Sequence, residues 1–318
     1  MTHTPCLAAA GIDVGQRFLD VGFAPSGQTF RVANLPHGIE SILDRLRHAG
    51  ITRVVIEAIG PYARHLVEVL VQAGNEVGLV NPRRIKAFRD AEGRRAKTDR
   101  LDAALIARFA LVMPDIFHAL PDAEALALKA LATRRRQLTV MIATEKTRLK
   151  QTLDMFILRS VQQAIAGLDA ERGQIEAELA RRIAANCTLQ SLFSALTGIK
   201  GIGPQVARVL ITELPEIGQR DRKTIASLAG LAPHVSQSGN RPPQAHIGGG
   251  RPCVRAALYM AALVAIRHDP AMKLAYKTMK DAGKPSKVAL IAIARKMIVY
   301  ANAVAKRTLG GQNDNLDA

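Results

Sequence analysis

Tryptophan is absent from this chain of 318 residues, and aromatic residues make up only 4% of it. A surface that stacks nucleic-acid bases on aromatic rings is therefore not its main binding device. Cysteine is nearly as scarce. Cys6, Cys187 and Cys253 lie far apart and form no CxxC pair. That spacing supports neither a zinc site nor a disulfide framework, and it points to a reduced, cytoplasmic compartment. The opening MTHTPCLAAAGIDVG has no basic stretch and meets an acid at Asp13, which makes it a poor signal peptide. The apolar runs near Ala256–Ile266 and Val288–Ala294 are too short to span a bilayer, so no membrane partner is expected. There is no GxSxG elbow and no Walker loop ending in GK[ST]. Acids are also few: 27 Asp and Glu stand against 44 Lys and Arg, a formal charge of +17. With membranes set aside, a field of that sign selects nucleic acid as the partner.

What is present is enough for a sizeable core, since 48% of the residues are hydrophobic, and the length suits more than one domain. Residues 7–34 read as three short strands, LAAAGIDVG, FLDVGFA and TFRVAN, separated by Gly15-Gln16 and Ser26-Gly27. The period then changes. HGIESILDRLRHAG is a helix, RVVIEA a buried strand, YARHLVEVLVQAG a helix and EVGLV a strand. PRRIKAFRD opens a basic stretch, and TDRLDAALIARFALV is a helix capped by Thr98. Three hairpin strands followed by alternating α and β predict a mixed sheet over residues 1–120.

Residues 121–188 change character. The span Leu126–Phe156 has no glycine or proline, and Leu138, Ile142, Leu149, Leu153 and Phe156 recur at helical spacing. It reads as a helical hairpin or coiled-coil arm, with an ordinary bundle packed on its own domain as the alternative. Residues 189–310 form a second, mainly helical region. Its last part, 241–310, holds 13 Lys and Arg and two acids, and 311–318 read as a disordered tail.

Three groups of residues could carry chemistry. Asp13 and Glu57 close two strands, while Asp99 and Asp102 share one face of a helix start. Four gathered carboxylates repel one another unless cations intervene. Their hard oxygens suit Mg²⁺ or Mn²⁺, and two such ions would clamp both oxygens of a displaced phosphodiester. Arg83, Arg84, Lys86, Arg89, Arg94, Arg95, Lys97 and Arg100 add phosphate-binding charge beside them. The second group is GIKGIGPQVA, where Lys200, Gly201 and Gly203 precede a helix. It is similar to a helix-hairpin-helix grip on the DNA backbone, and it also reads as a glycine cap followed by a Pro204-initiated helix. The third is the loop SQSGNRPPQAHIGGGRPCVRAAL, with Ser236, Ser238 and His246, and with Arg251 and Arg255 as candidate nucleic-acid contacts. Serine there is an ordinary turn residue unless a base or metal activates it.

GIDVG, IEAIGPYARHL, NPRRIKAFRDAEGRRAKTDRLDA, LTGIKGIGPQVA, LAGLAP, SQSGN and IGGGRPCVRAALYMAAL, in that order, resemble the DEDD-type insertion-sequence transposases. These are the bridge-RNA-guided serine recombinases of the insertion-sequence family numbered one hundred and ten. The resemblance runs over residues 8 to 305. It implies a RuvC-like domain of ribonuclease H fold (1–120), a coiled-coil arm (121–188) and a transposase domain (189–310). The four acids fall on Asp13, Glu57, Asp99 and Asp102, and the catalytic serine on Ser238, with Ser236 as its competitor. The resemblance further implies Mg²⁺ or Mn²⁺, an element-encoded guide RNA, DNA ends and target as substrates, and dimers assembling into tetramers. Acids and serine of one site would come from different subunits. Two other readings are a Holliday-junction-type endonuclease that uses water, and a non-catalytic RNA- or DNA-binding scaffold. Ile59, where threonine is commoner in the family, and the insert RPPQA are departures from its pattern.

Overall fold

The computed structural model describes residues 8–57, 60–93, 99–113, 116–117, 122–236 and 244–313; the side chains of 60–61, 99–100, 235–236, 244–245 and 311–313 are outside the description. The chain divides into two compact units, Met1–Leu120 and Pro121–Ala318.

The first unit is a five-stranded mixed sheet with helices. Its elements are β1 (Ala9–Val14), β2 (Phe18–Ala24), β3 (Thr29–Ala33), α1 (Pro36–His48), β4 (Arg53–Glu57), a short 3-10 turn at Gly60–Ala63, α2 (Arg64–Gln72), β5 (Glu76–Val80), α3 (Pro82–Ala91) and α4 (Asp99–Val112). The sheet order is β3-β2-β1-β4-β5. The hairpin strands β1, β2 and β3 pair antiparallel, while β4 lies parallel to both β1 and β5. This order and polarity fit the expected ribonuclease H-like α/β fold. The basic stretch after β5 folds as α3, whose Asn81 side chain caps it by accepting from the Arg83 N–H.

The strand period of two sorts the core. Ala10, Ile12, Val14, Val54 and Ile56 face one way, into a cluster with Ile39, Ile42 and Leu46 of α1 and Leu66 and Leu70 of α2. Ala9 and Val55 face the other way, into a cluster with Ile85 of α3 and Leu105, Ile106, Phe109 and Ala110 of α4. On that second face α4 lies almost on the backbone of the sheet. A Cβ on Gly11 would stand 2.1 Å from the Ala107 nitrogen and 2.6 Å from the Ala103 oxygen, and one on its register partner Gly22 would stand 2.6 Å from the Ala104 nitrogen. Only glycine permits this approach.

The second unit is almost wholly helical. It comprises α5 (Ala123–Gln151), α6 (Met155–Ala185), α7 (Cys187–Thr197), α8 (Pro204–Glu213), α9 (Arg222–Leu228), β6 (Pro233–Ser236), β7 (Gln244–Ile247), α10 (Pro252–His268), α11 (Pro270–Asp281) and α12 (Ser286–Asn313). Helices α5 and α6 form an antiparallel hairpin: Arg182 lies near Glu124, and Arg134 bonds Glu171. The expected stripe does not run on through Phe156. Asp154 accepts from the N–H groups of Phe156 and Ile157 and starts α6, so Leu153 and Phe156 sit at the tip, 93% and 79% exposed. Leu138 is fully buried within the chain.

The body of this unit packs Leu196, Leu210, Ile225, Leu258, Ile293, Ile298 and their neighbours into one core. Helix α12 also revises the reading of apolar runs. Ser286–Gly310 contains an 18-residue stretch of mean hydropathy 1.6 and is long and apolar enough to cross a membrane, yet half of that stretch is buried in the unit. The helix continues to Asn313, into the stretch expected as a tail, because it extends from a well-packed helix rather than starting anew.

Candidate active site

The strand parity that places Gly11 against α4 also places Asp13 on that face, two residues further along β1. Glu57 is its register partner on β4, and Asp20 its partner on β2, so three acids stand in a row across the sheet. Neighbouring strands are about 4.8 Å apart, which sets the spacing of that row. Asp20 is already neutralised: Arg31 of β3 grips it with Nε at 3.0 Å and Nη2 at 2.8 Å, and Asp20 is 4% exposed. Asp13 and Glu57, both half-buried, face α4 toward the ends of their strands.

Helix α4 brings the next acid. Ala9, at the start of β1, shares its core with Phe109 and Ala110, while Gly11 meets Ala103 and Ala107. The first turn of α4 therefore lies toward Asp13. Asp102, beside Ala103, is 5% exposed, and its Oδ1 accepts from Arg89 Nη2 of α3 at 2.6 Å. Asp99 opens the helix, and its side chain is outside the description. Among the described residues, no three His, Cys, Asp or Glu side chains gather closely enough to hold a metal ion. The donor set of Asp13, Glu57 and Asp102 is nevertheless all hard oxygen, which fits Mg²⁺ or Mn²⁺ in kind.

The expected phosphate contacts divide. Arg83, Arg84 and Lys86 are exposed on α3, with the Arg84 guanidinium 5.3 Å from the Phe109 ring centre. Arg94, Arg95 and Lys97 lie outside the described residues, and of Arg100 only the backbone is described. In the second unit Lys200 is exposed. Gly201, however, faces inward: its φ is +94°, and a Cβ there would stand 2.9 Å from the Ala261 oxygen of α10. Gly203 opens α8 in free space.

Arg251 and Arg255, expected as nucleic-acid contacts, both have their guanidinium groups bonded within the chain. Arg251 grips Glu216 with two bonds of 2.6 Å, and Arg255 Nη1 donates to the Gly230 oxygen at 3.3 Å and the Gly249 oxygen at 3.0 Å. These contacts brace the serine region. Gly230 precedes β6 and Gly249 follows β7, so Arg255 ties together the two ends of the hairpin. Gly230 and Gly250 pack so closely that a Cβ on Gly250 would stand 2.3 Å from the Gly230 nitrogen. Strands β6 and β7 themselves were not foreseen; the sequence reads there as turns. They pair antiparallel with His234 opposite His246 and Ser236 opposite Gln244, the ring centres of the two histidines 6.0 Å apart. Ser236 is the last residue of β6. Ser238 lies outside the described residues.

Comparison with known proteins places these features in a class. Residues 10–157 match the family of DEDD transposases, and residues 194–277 match the transposase family IS116/IS110/IS902. The chain is 32% identical over 261 residues to the pilin gene-inverting protein of Moraxella bovis, covering 80% of each, and is equally similar to its counterpart from Moraxella lacunata. It is 28% identical over 154 residues to the insertion element IS110 uncharacterized 43.6 kDa protein of Streptomyces coelicolor, covering 46% of this chain and 36% of that one. Among solved structures, T. thermophilus RuvC in complex with Holliday junction substrate matches 34% of this chain and 95% of its own, at 17% identity and a TM-score of 0.28, too low to define a shared fold.

A mixed-sheet unit with carboxylates at its strand ends, joined to a helical transposase unit, defines a DNA transposase or recombinase. The chain belongs to the IS110 family of DEDD transposases.

Proposed function

We propose that the enzyme cuts and rejoins DNA at the ends of an insertion element through a serine nucleophile assisted by divalent metal, with an element-encoded RNA choosing the sites. The observation that carries the metal half is the placement of Asp13 and Glu57 as register partners on the sheet face that α4 covers, with Asp102 in the first turns of that helix. Asp13, Glu57, Asp102 and Asp99 would hold Mg²⁺ or Mn²⁺. Such an ion supplies Lewis acidity at the scissile phosphate and lowers the cost of deprotonating a hydroxyl nearby.

The serine half rests on resemblance and on the hairpin. Ser238 Oγ attacks phosphorus as the bond to the 3′ oxygen breaks. The DNA 5′ phosphate is then esterified to serine, and the departing oxygen takes up a proton to become a 3′-hydroxyl. Rejoining runs the same exchange with a different 3′-hydroxyl. Because the ester keeps the energy of the phosphodiester bond, no nucleotide cofactor is needed. Base pairing with a guide RNA would provide sequence choice, leaving the protein to bind backbone with its excess of positive charge. Dimers assembling into tetramers would supply acids and serine to one site from different subunits, in the cytoplasm.

The test is covalent capture. The protein, its RNA, an end-labelled element junction and Mg²⁺ should yield a protein–DNA adduct. Ser238→Ala should lose it while Ser236→Ala keeps it. The reverse pattern moves the role to Ser236. Cleavage without any adduct would favour a hydrolytic nuclease instead.

A further inference from the structure

Asp102 is already held by a cation. Its side chain is 7% exposed and that of Arg89 15%, and Arg89 Nη2 stands 2.6 Å from Asp102 Oδ1, at the short end for a charge-assisted bond. Both groups are withdrawn from water, so neither can exchange its partner for solvent freely. Arg89 comes from α3 and Asp102 from α4, and the contact joins the basic helix to the acidic edge of the sheet. The acids of that edge differ in this respect: Asp20 has a permanent partner in Arg31 on the adjacent strand, within the sheet itself, whereas Arg89 approaches from a separate helix.

We infer that Arg89 is a resident counter-ion that competes with divalent metal for Asp102 and moves to a DNA phosphate when substrate arrives, so that metal and DNA load together. This rests on the metal reading given above. Arg89 stabilises the acidic edge while the site holds no cation. Its positive charge, at contact distance from a ligand carboxylate, opposes a divalent ion there. A phosphodiester brought to the same edge offers Arg89 an alternative acceptor of equal charge and better geometry for its planar fork. Once Arg89 turns to that phosphate, its charge no longer opposes a cation at Asp102. By linkage, DNA must then raise metal affinity by the same factor that metal raises DNA affinity. Arg89 is thus a positioning residue rather than a catalytic one.

The experiment is a titration of the full-length protein with Mn²⁺, followed by electron paramagnetic resonance of the free ion, with and without a short DNA duplex. Wild-type protein should bind Mn²⁺ weakly alone and about tenfold or more tightly with DNA, within the range usual for coupled sites. Arg89→Gln keeps a hydrogen-bond donor and removes the charge. It should bind Mn²⁺ about tenfold more tightly than wild type without DNA, and should gain less when DNA is added. Arg89→Lys keeps the charge and should bind Mn²⁺ without DNA as weakly as wild type, but without the planar fork it should gain less when DNA is added. Equal or weaker Mn²⁺ binding by Arg89→Gln would overturn the inference alone, provided Asp102→Asn still abolishes binding. Absence of Mn²⁺ binding by every protein, with or without DNA, would overturn the metal reading and this inference with it. If Arg89→Gln does not fold, the wild-type measurement decides: no rise in Mn²⁺ affinity with DNA contradicts the coupling.

Discussion

At the scale of single residues, much of the polar chemistry goes into fixing the backbone. Asp221 shows how. Its carboxylate caps α9, accepting from the Thr224 hydroxyl and from the N–H groups of Thr224 and Lys223, and these bonds lower its pKa from 3.8 to about 2. The folded value lies below the unfolded one, so the contribution to stability is present above about pH 4 and is lost as pH falls through about 2. Asp221→Asn keeps an acceptor for the helix N–H groups and removes the titration. The stability difference between wild type and Asp221→Asn should therefore be largest at neutral pH and vanish near pH 2, as read by denaturant unfolding at a series of pH values. A difference that stays constant across that range would remove the charged cap from the account. Asp102 and Arg89 follow the other pattern, in which the bond that fixes a side chain also occupies a carboxylate proposed as a metal ligand.

At the scale of elements, the α5–α6 hairpin separates what the sequence could tell from what it could not. The helical period over 126–156 is legible, and it does produce two long helices. The break at residues 152–154 is not legible as a turn, because no glycine or proline marks it; its signal is the single cap residue Asp154. Missing that cap extends the apolar stripe onto Leu153 and Phe156, which the fold leaves exposed. Leu138 and Leu153, read as one stripe, are thus opposite cases. Leu138→Ala should cost about 2–5 kcal/mol. Leu153→Asp should leave the melting temperature unchanged and act, if at all, on the particle mass seen by light scattering. Equal loss of stability for both would contradict the hairpin. The first unit is more legible, since its strands are short apolar runs bounded by turn residues and Gly50 and Gly74 follow two of its helices. In the second unit β6 and β7 were hidden, because four-residue strands bordered by glycine, proline and serine carry too few alternations to register. Of the candidate site, the strand-end acids were legible as residues. The Arg89–Asp102 pair and the Arg255 clamp were not, because both depend on how separate elements pack, which no residue spacing displays.

At the scale of the whole molecule, a charge of +17 must find a partner. The basic residues left exposed include Arg83 and Lys86 on α3 and Lys273, Lys277, Lys296 and Arg307 on α11 and α12. If about six phosphates are neutralised, binding to duplex DNA should show a log–log salt slope near −5. A slope near zero would deny that the charge binds backbone. Arg251→Ala and Arg255→Ala should change that slope little, because both side chains are bonded within the chain.

The proposed reaction requires both the acids of the first unit and the serine of the second. It is tested most directly by asking whether the covalent protein–DNA adduct depends on the acids. With RNA, junction DNA and Mg²⁺ supplied, Asp13→Ala and Asp102→Ala should each fail to form the adduct while binding DNA with the wild-type salt slope and keeping the wild-type far-ultraviolet circular dichroism. Adduct formation at the wild-type rate by either variant would contradict the claim, because the serine would then act without the carboxylates.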